Sequence, residues 1–176
     1  MKRIFGIVIL AGLMACNPSE KKSSDKKDTL QKDSISVNNE VSIKDQKKAN
    51  IFIEYVSLKD ALVKADQKLS QKAAADLQKS LANFEGCEPT AEIAGKIAAS
   101  SDLADQRKSF TTLSADLIAL MKNAEIEKGT IYVQHCPMAN KGDGGDWLST
   151  EKEIRNPYYG DEMLECGRVT EELKAK

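Results

Sequence analysis

In the stretch Tyr132-Val133-Gln134-His135-Cys136-Pro137-Met138-Ala139 the chain's only histidine stands within four positions of a cysteine and a methionine. Further on, Met163 and Cys166 supply the same two sulfur donors again. Thiolate and thioether are soft ligands that select Cu(I) over hard cations, and imidazole adds to that preference. His135, Cys136, Met138, Met163 and Cys166 are therefore the candidate metal ligands, with copper, as Cu(I), the candidate cofactor. The same residues admit a second chemistry. Two cysteines that meet in an oxidising compartment usually form a disulfide. A Cys136–Cys166 bond would close a loop of about 30 residues, worth roughly 3 kcal/mol on a chain-entropy estimate. On that reading Met138 and Met163 fill the core, and His135 is an ordinary surface or hydrogen-bonded histidine. Spacing leaves both open.

Catalytic chemistry has less support. A Cys-His nucleophile needs its base held against the thiol by a third group, whereas adjacent positions on a strand point to opposite faces. Gly142, Gly144 and Gly145 are not followed by the Lys-Ser/Thr and helix of a phosphate loop. No site signature picks out a pair among the 27 acidic residues. The expectation is a protein that is not an enzyme. Cys87, in Phe84-Glu85-Gly86-Cys87-Glu88-Pro89, reads as an incidental thiol in a link between helices, with a third metal ligand or an intermolecular bridge as the minority reading.

For the sulfurs to meet, two short β-favouring segments must pair: Thr130–Gln134 and Met163–Gly167. Between them lie the flexible Lys141–Asp146 segment, the only tryptophan, Trp147, and the turn chemistry of Asn156-Pro157 and Gly160. Arg155 is expected to pair with a carboxylate and Trp147 to pack on the helices. Upstream, four amphipathic stripes are legible. Ile51, Tyr55, Leu58, Leu62, Ala65 and Leu69 step by four and three, as one helix would. Ser70 is placed to cap a second helix carrying Ala74, Leu77, Leu81 and Phe84, which Gly86 stops. Pro89 suits the start of a short third helix with Ile93 and Ile97. Ser100-Ser101-Asp102 can cap a fourth, with Leu103, Phe110, Leu113, Leu117 and Leu120 running toward Gly129. The short links predict a mainly α fold, an antiparallel up-down bundle with a C-terminal β-hairpin or loop segment packed on it.

The N-terminus predicts where this domain works. Lys2 and Arg3 precede an apolar run, Ile4 to Leu13, too short to span a bilayer comfortably and suited to a signal peptide. Leu13-Met14-Ala15-Cys16 looks like a lipobox, so residues 1–15 read as a lipoprotein signal and Cys16 as the lipidation site. Several acyl chains hold a domain on a membrane stably where one is marginal. Residues 16–48 mix Ser, Asn, Lys and Asp with no apolar period and read as a disordered tether; residues 49–176 form the domain. The expected place is the periplasmic side of the envelope. The outer membrane is favoured over the inner, because Asn17 stands where an aspartate would signal retention. Without its leader the chain holds three more acidic than basic residues, so a nucleic-acid partner is not expected. An aromatic content of 5% argues against a stacking platform.

The segment YVQHCPMANKGDGGDWLSTEKEIRNPYYGDEMLECG resembles the C-terminal signature of the DUF3347 domain family, and YVSLKDALVKADQKLSQKAAADLQKSL and KIAASSDLADQRKSFTTLSADLIALMK look like its helical part. The resemblance spans roughly residues 50–169. Tyr132, Gln134, Cys136, Pro137, Met138, Trp147, Glu153, Arg155, Asn156, Pro157, Tyr158, Gly160, Met163, Cys166 and Gly167 match the pattern. It implies a bacterial exported domain, found alone behind a lipoprotein signal or appended to periplasmic adaptor subunits of heavy-metal efflux pumps. Gly95, Asp105 and Ser109 stand where members of the family carry further histidines, which leaves His135 as the sole imidazole. The expected function is a membrane-anchored lipoprotein that binds Cu(I) for sequestration or delivery to an efflux adaptor or another metal-handling protein. The alternative is a non-catalytic helical interaction module whose C-terminal segment is locked by a Cys136–Cys166 disulfide.

Overall fold

Residues 41–175 are described by a computed structural model. The predicted leader, the lipidation residue Cys16 and the tether as far as residue 40 lie outside the described residues. A two-residue strand, β1 (Ser42–Ile43), leads into four helices: α1 (Gln46–Val63), α2 (Gln67–Ala82), α3 (Glu88–Ala99) and α4 (Leu103–Lys122). Four strands follow: β2 (Ile126–Lys128), β3 (Thr130–Cys136), β4 (Gly145–Ser149) and β5 (Arg168–Lys174). The described chain is thus mainly helical, with its larger antiparallel sheet near the C-terminus. Among the described residues no helix is long and apolar enough to cross a membrane.

Aspartates start three of the helices. Asp45 accepts from the backbone N–H groups of Lys47 and Lys48, Asp66 from Leu69, and Asp102 from Asp105. Each satisfies a donor that the first helical turn leaves without an intrahelical partner. The third helix has no side-chain cap but carries Pro89 in its first turn.

Two helix boundaries differ from those expected. The stripe from Ile51 to Leu69 is broken, because α1 ends at Val63 and Asp66, not Ser70, caps α2. Ala65 takes a left-handed φ of 51° there. Its N–H reaches Leu62 O, and that of Asp66 reaches Ala61 O, closing the helix end. Ser70 donates its hydroxyl to Asp66 O instead, at 2.8 Å. The fourth helix stops at Lys122, short of Gly129. Beyond Asn123 the chain turns extended, and β2 pairs antiparallel with β1, Ser42 opposite Lys128 and Ile43 opposite Ile126. Residues 42–48 therefore belong to the folded unit, although their composition reads as tether.

α2 lies against α1 and α3, α3 against α4, and α4 against α1 and β4. Tyr55, Leu58, Leu62, Leu77, Leu81, Ile97, Phe110 and Leu113 are wholly buried, and their cluster runs on into Ile131, Trp147, Leu148 and Tyr158. Helices and sheet share one core, as expected of two layers that each have an apolar face to hide.

The larger sheet has the order β4-β3-β5, antiparallel throughout. This corrects the expected hairpin. β3 pairs with Gly145–Ser149 and Arg168–Lys174, while Met163–Gly167 forms a turn before β5. The β5 pairing slips between Val133 and Gln134, leaving Thr170 as an extra residue. Such a bulge bends the strand and adds local twist.

The outer edge of β4 would present unpaired backbone groups, and two tyrosines cover it. Tyr55 of α1 accepts from Leu148 N–H at 3.1 Å and shares a 2.7 Å hydrogen bond with Ser114 of α4. Tyr158 donates its hydroxyl to Asp146 O at 2.7 Å. Burial, first of all, pushes both phenols above their ordinary pKa, so they remain neutral donors. Tyr55→Phe is expected to lower stability by about 1–3 kcal/mol, because a buried N–H loses its acceptor. A urea midpoint that falls with an unchanged m-value would report this.

Candidate functional site

Cys136 closes β3 and is fully buried. Its pairing partner across the strands is Gly145. A Cβ on Gly145 would lie 2.7 Å from the Tyr158 ring, so glycine is what admits the tyrosine there. Cys166 reaches the same place from the turn ahead of β5. Its N–H donates to Met163 O at 3.0 Å and its carbonyl accepts from Asn156 Nδ2 at 3.2 Å. Asn156 is itself buried; its N–H donates to Leu164 O and its Oδ1 accepts from Tyr158 N–H. Next comes Gly167 with φ of +149°, where a Cβ would stand 2.8 Å from His135 O. Only glycine lets the turn approach β3 so closely. The two sulfurs end 3.0 Å apart. Hydrogen bonding to the Cys136 thiol, and then burial, raise the pKa of Cys166 above the ordinary thiol value, while the Met138 backbone N–H works the other way.

The other candidate ligands divide. Met138 is half exposed, at 51%, directly after the Cys136-Pro137 step. Its carbonyl accepts from Tyr159 OH at 2.6 Å. Met163 is partly buried and belongs to the turn that presents Cys166. His135 faces the other way. As the neighbour of Cys136 on a regular strand it points to the opposite side, and its Nδ1 lies 2.9 Å from Oδ1 of Asp146, its partner across the sheet. The fold thus brings the two thiols together, ties the two methionines to them through the backbone, and leaves the imidazole on the far face. Among the described residues no three His, Cys, Asp or Glu side chains gather as a metal cluster. Cys87 stands at the start of α3, where burial raises its pKa.

Three residues support the site; Gln134 and Asn156 were matched only through the family resemblance, and Arg107 was not singled out. Gln134 is wholly buried, and its Nε2 points at the carbonyls of Glu151, Lys152 and Glu153 at 2.8, 3.3 and 3.2 Å. Arg107 of α4 donates from Nε to Pro157 O at 3.0 Å and from Nη2 to Leu62 O at 3.1 Å, joining the C-terminal segment to the end of α1. Burial holds its pKa below the usual arginine value. Gly160 makes room for this, since a Cβ there would meet Val63 O at 2.8 Å and Arg107 Nη2 at 2.9 Å. The third is Asn156. For Arg107 a signal existed: the seven-residue step from Leu103 to Phe110 leaves position 107 on the apolar stripe. Trp147 packs edge-on to Tyr158, 6.1 Å between centroids, and beside Gly167. It serves the C-terminal segment rather than the helices alone. Arg155 does meet carboxylates, Glu151 and Glu153, each at 3.5 Å on the exposed surface.

Residues 51–129 fit the family model described as a protein of unknown function, DUF3347. No curated protein and no solved structure matches the chain. The matched segment runs from Ile51, within α1, to Gly129, one residue before β3, so it covers most of α1, the other three helices and β2 but not the thiol pair.

Proposed function

From the match of residues 51–129 to the DUF3347 family model, together with the sulfur geometry, we propose that the chain is a DUF3347-type protein and an exported, membrane-anchored binder of a soft metal, Cu(I). It would hold the metal in sequestration or deliver it to a periplasmic efflux adaptor or another metal-handling protein. The carrying observation is the 3.0 Å approach of Cys136 and Cys166, with Met138 and Met163 on the segments that bring them there. Two thiolates completed by a thioether form a soft donor set of the kind that favours Cu(I). His135 enters this reading as an outlying residue. Anchoring would be through acyl chains on Cys16, on the periplasmic side and at the outer membrane. The four helices, sequentially packed with short links, are read as an antiparallel up-down bundle that supports the site without catalysing a reaction.

An anaerobic Cu(I) competition titration of the reduced full chain tests this. Tight one-to-one binding is expected, and the Cys136→Ser/Cys166→Ser double variant should lose more than the roughly 10–100-fold that removal of an outer-shell partner costs. Absence of binding by the reduced wild type sinks the reading. The same sulfur approach favours a second one, a non-catalytic interaction module locked by a Cys136–Cys166 disulfide. The bond needs the sulfurs about 1 Å closer, at roughly 2.05 Å.

A further inference from the structure

We infer that Cys136 and Cys166 are the two halves of a reversible dithiol–disulfide couple, with Cys166 the sulfur through which oxidant and reductant enter and Cys136 the one that resolves. Three observations carry this. The sulfurs are 3.0 Å apart. They differ in access, Cys136 being wholly buried and Cys166 partly exposed on a turn. The segments bearing them are also positioned by contacts that do not involve sulfur. Those contacts are the His135–Arg168 pairing of β3 with β5, the close seat of Gly167 under His135 O, and the Asn156 hydrogen bond to Cys166 O. The same scaffold therefore accommodates both the open and the bonded pair, and closing the bond is a local movement of two side chains.

The chemistry balances with a small disulfide as oxidant. Cys166, its proton given to solvent, attacks one sulfur of the oxidant and forms a mixed disulfide, releasing the first thiol. Cys136, likewise deprotonated, attacks Cys166 Sγ and expels the second thiol as the Cys136–Cys166 bond forms. Two electrons pass to the oxidant and two thiols of it appear. A reductant reverses the sequence by attacking the exposed Cys166 sulfur. That oxidation also switches metal binding off, by consuming both thiolates, rests on the proposed function above.

The test uses the reduced full chain with oxidised glutathione under anaerobic conditions, alkylation at intervals, and peptide mapping that reads each cysteine separately. In the wild type an internal Cys136–Cys166 disulfide should form and reopen in dithiothreitol without denaturant. Cys136→Ser should accumulate glutathione on Cys166. Cys166→Ser should take it up on Cys136 at least roughly tenfold more slowly, because exchange follows access of the thiolate. Cys136→Ala replaces the serine variant if a hydroxyl at that buried site unfolds the chain. Equal uptake at either cysteine, no internal bond, or a bond that opens only in denaturant overturns the inference. Cu(I) titration of reduced and oxidised wild type separates the two ideas. Binding by the reduced form without a redox couple leaves the metal reading standing and removes this one. A couple that forms through Cys166 in a chain that binds no Cu(I) does the reverse.

Discussion

Phe110→Ala is expected to lower the free energy of unfolding by about 3–5 kcal/mol, the usual range for truncating a buried phenylalanine. The side chain is wholly buried on α4. It stacks on Tyr55 at 5.4 Å between centroids and lies 5.8 Å from Tyr158 at a tilt. Those are the two tyrosines that cover the free edge of β4, so the cavity would open where helices, sheet and C-terminal segment meet. Aromatic pairs contribute about 0.5–1.5 kcal/mol beyond area burial, which places the loss toward the upper part of the range. Urea unfolding should show a lower midpoint with one transition, because helices and sheet share a core. Separate transitions for helical signal and tryptophan fluorescence would contradict that shared core.

The second large effect concerns Gln134. Gln134→Leu keeps the volume and removes the side-chain donor that, among the described residues, reaches the carbonyls of Glu151, Lys152 and Glu153. A loss of about 1–3 kcal/mol is expected, since Glu151, unlike the exposed Lys152 and Glu153, is partly buried and its carbonyl loses its donor. Hydrogen exchange should quicken in residues 151–167 more than in α2 or α3, because the segment that presents Cys166 is the one released. Gln134→Glu sharpens the test through pH. A carboxyl aimed at three carbonyl oxygens is favoured in its neutral, donating form, so its folded pKa lies above the unfolded value of about 4.3. The variant's stability is then fully present below about pH 4.3 and is lost as pH rises through the folded pKa. A Gln134→Glu protein as stable at pH 7 as at pH 4, relative to wild type, would show that the side chain does not sit among those carbonyls.

The local elements of this protein were legible in its residues because they arise from local interactions. Helical hydrogen bonds join positions four apart, so the stripes of α2, α3 and α4 show as a period, and Asp102 and Pro89 mark starts by chemistry that acts within one turn. The same locality explains the errors. Ile51 to Leu69 keeps helical spacing straight through the end of α1, and that end is closed by Ala65, a residue that carries no glycine-like signal.

Strand pairing carries no such record. Gly145-Asp146-Trp147-Leu148-Ser149 is buried everywhere except at Asp146, so it has no alternation to read, and its pairing with β3 is decided by partners as far away as Tyr132 is from Ser149. β1 is only two residues long, and nothing in its composition separates it from a tether. The residues alone also supply the donor types at the site: two thiols, two thioethers and one imidazole. The tertiary structure sorted them. Cys136 and Cys166 meet because the Asn156 turn and the glycine at 167 bring the chain against β3, while His135, one position from Cys136, is turned to the opposite face and held by Asp146. Neighbours in sequence were separated by the two-residue period of a strand, and cysteines thirty positions apart were joined by packing that no local pattern encodes.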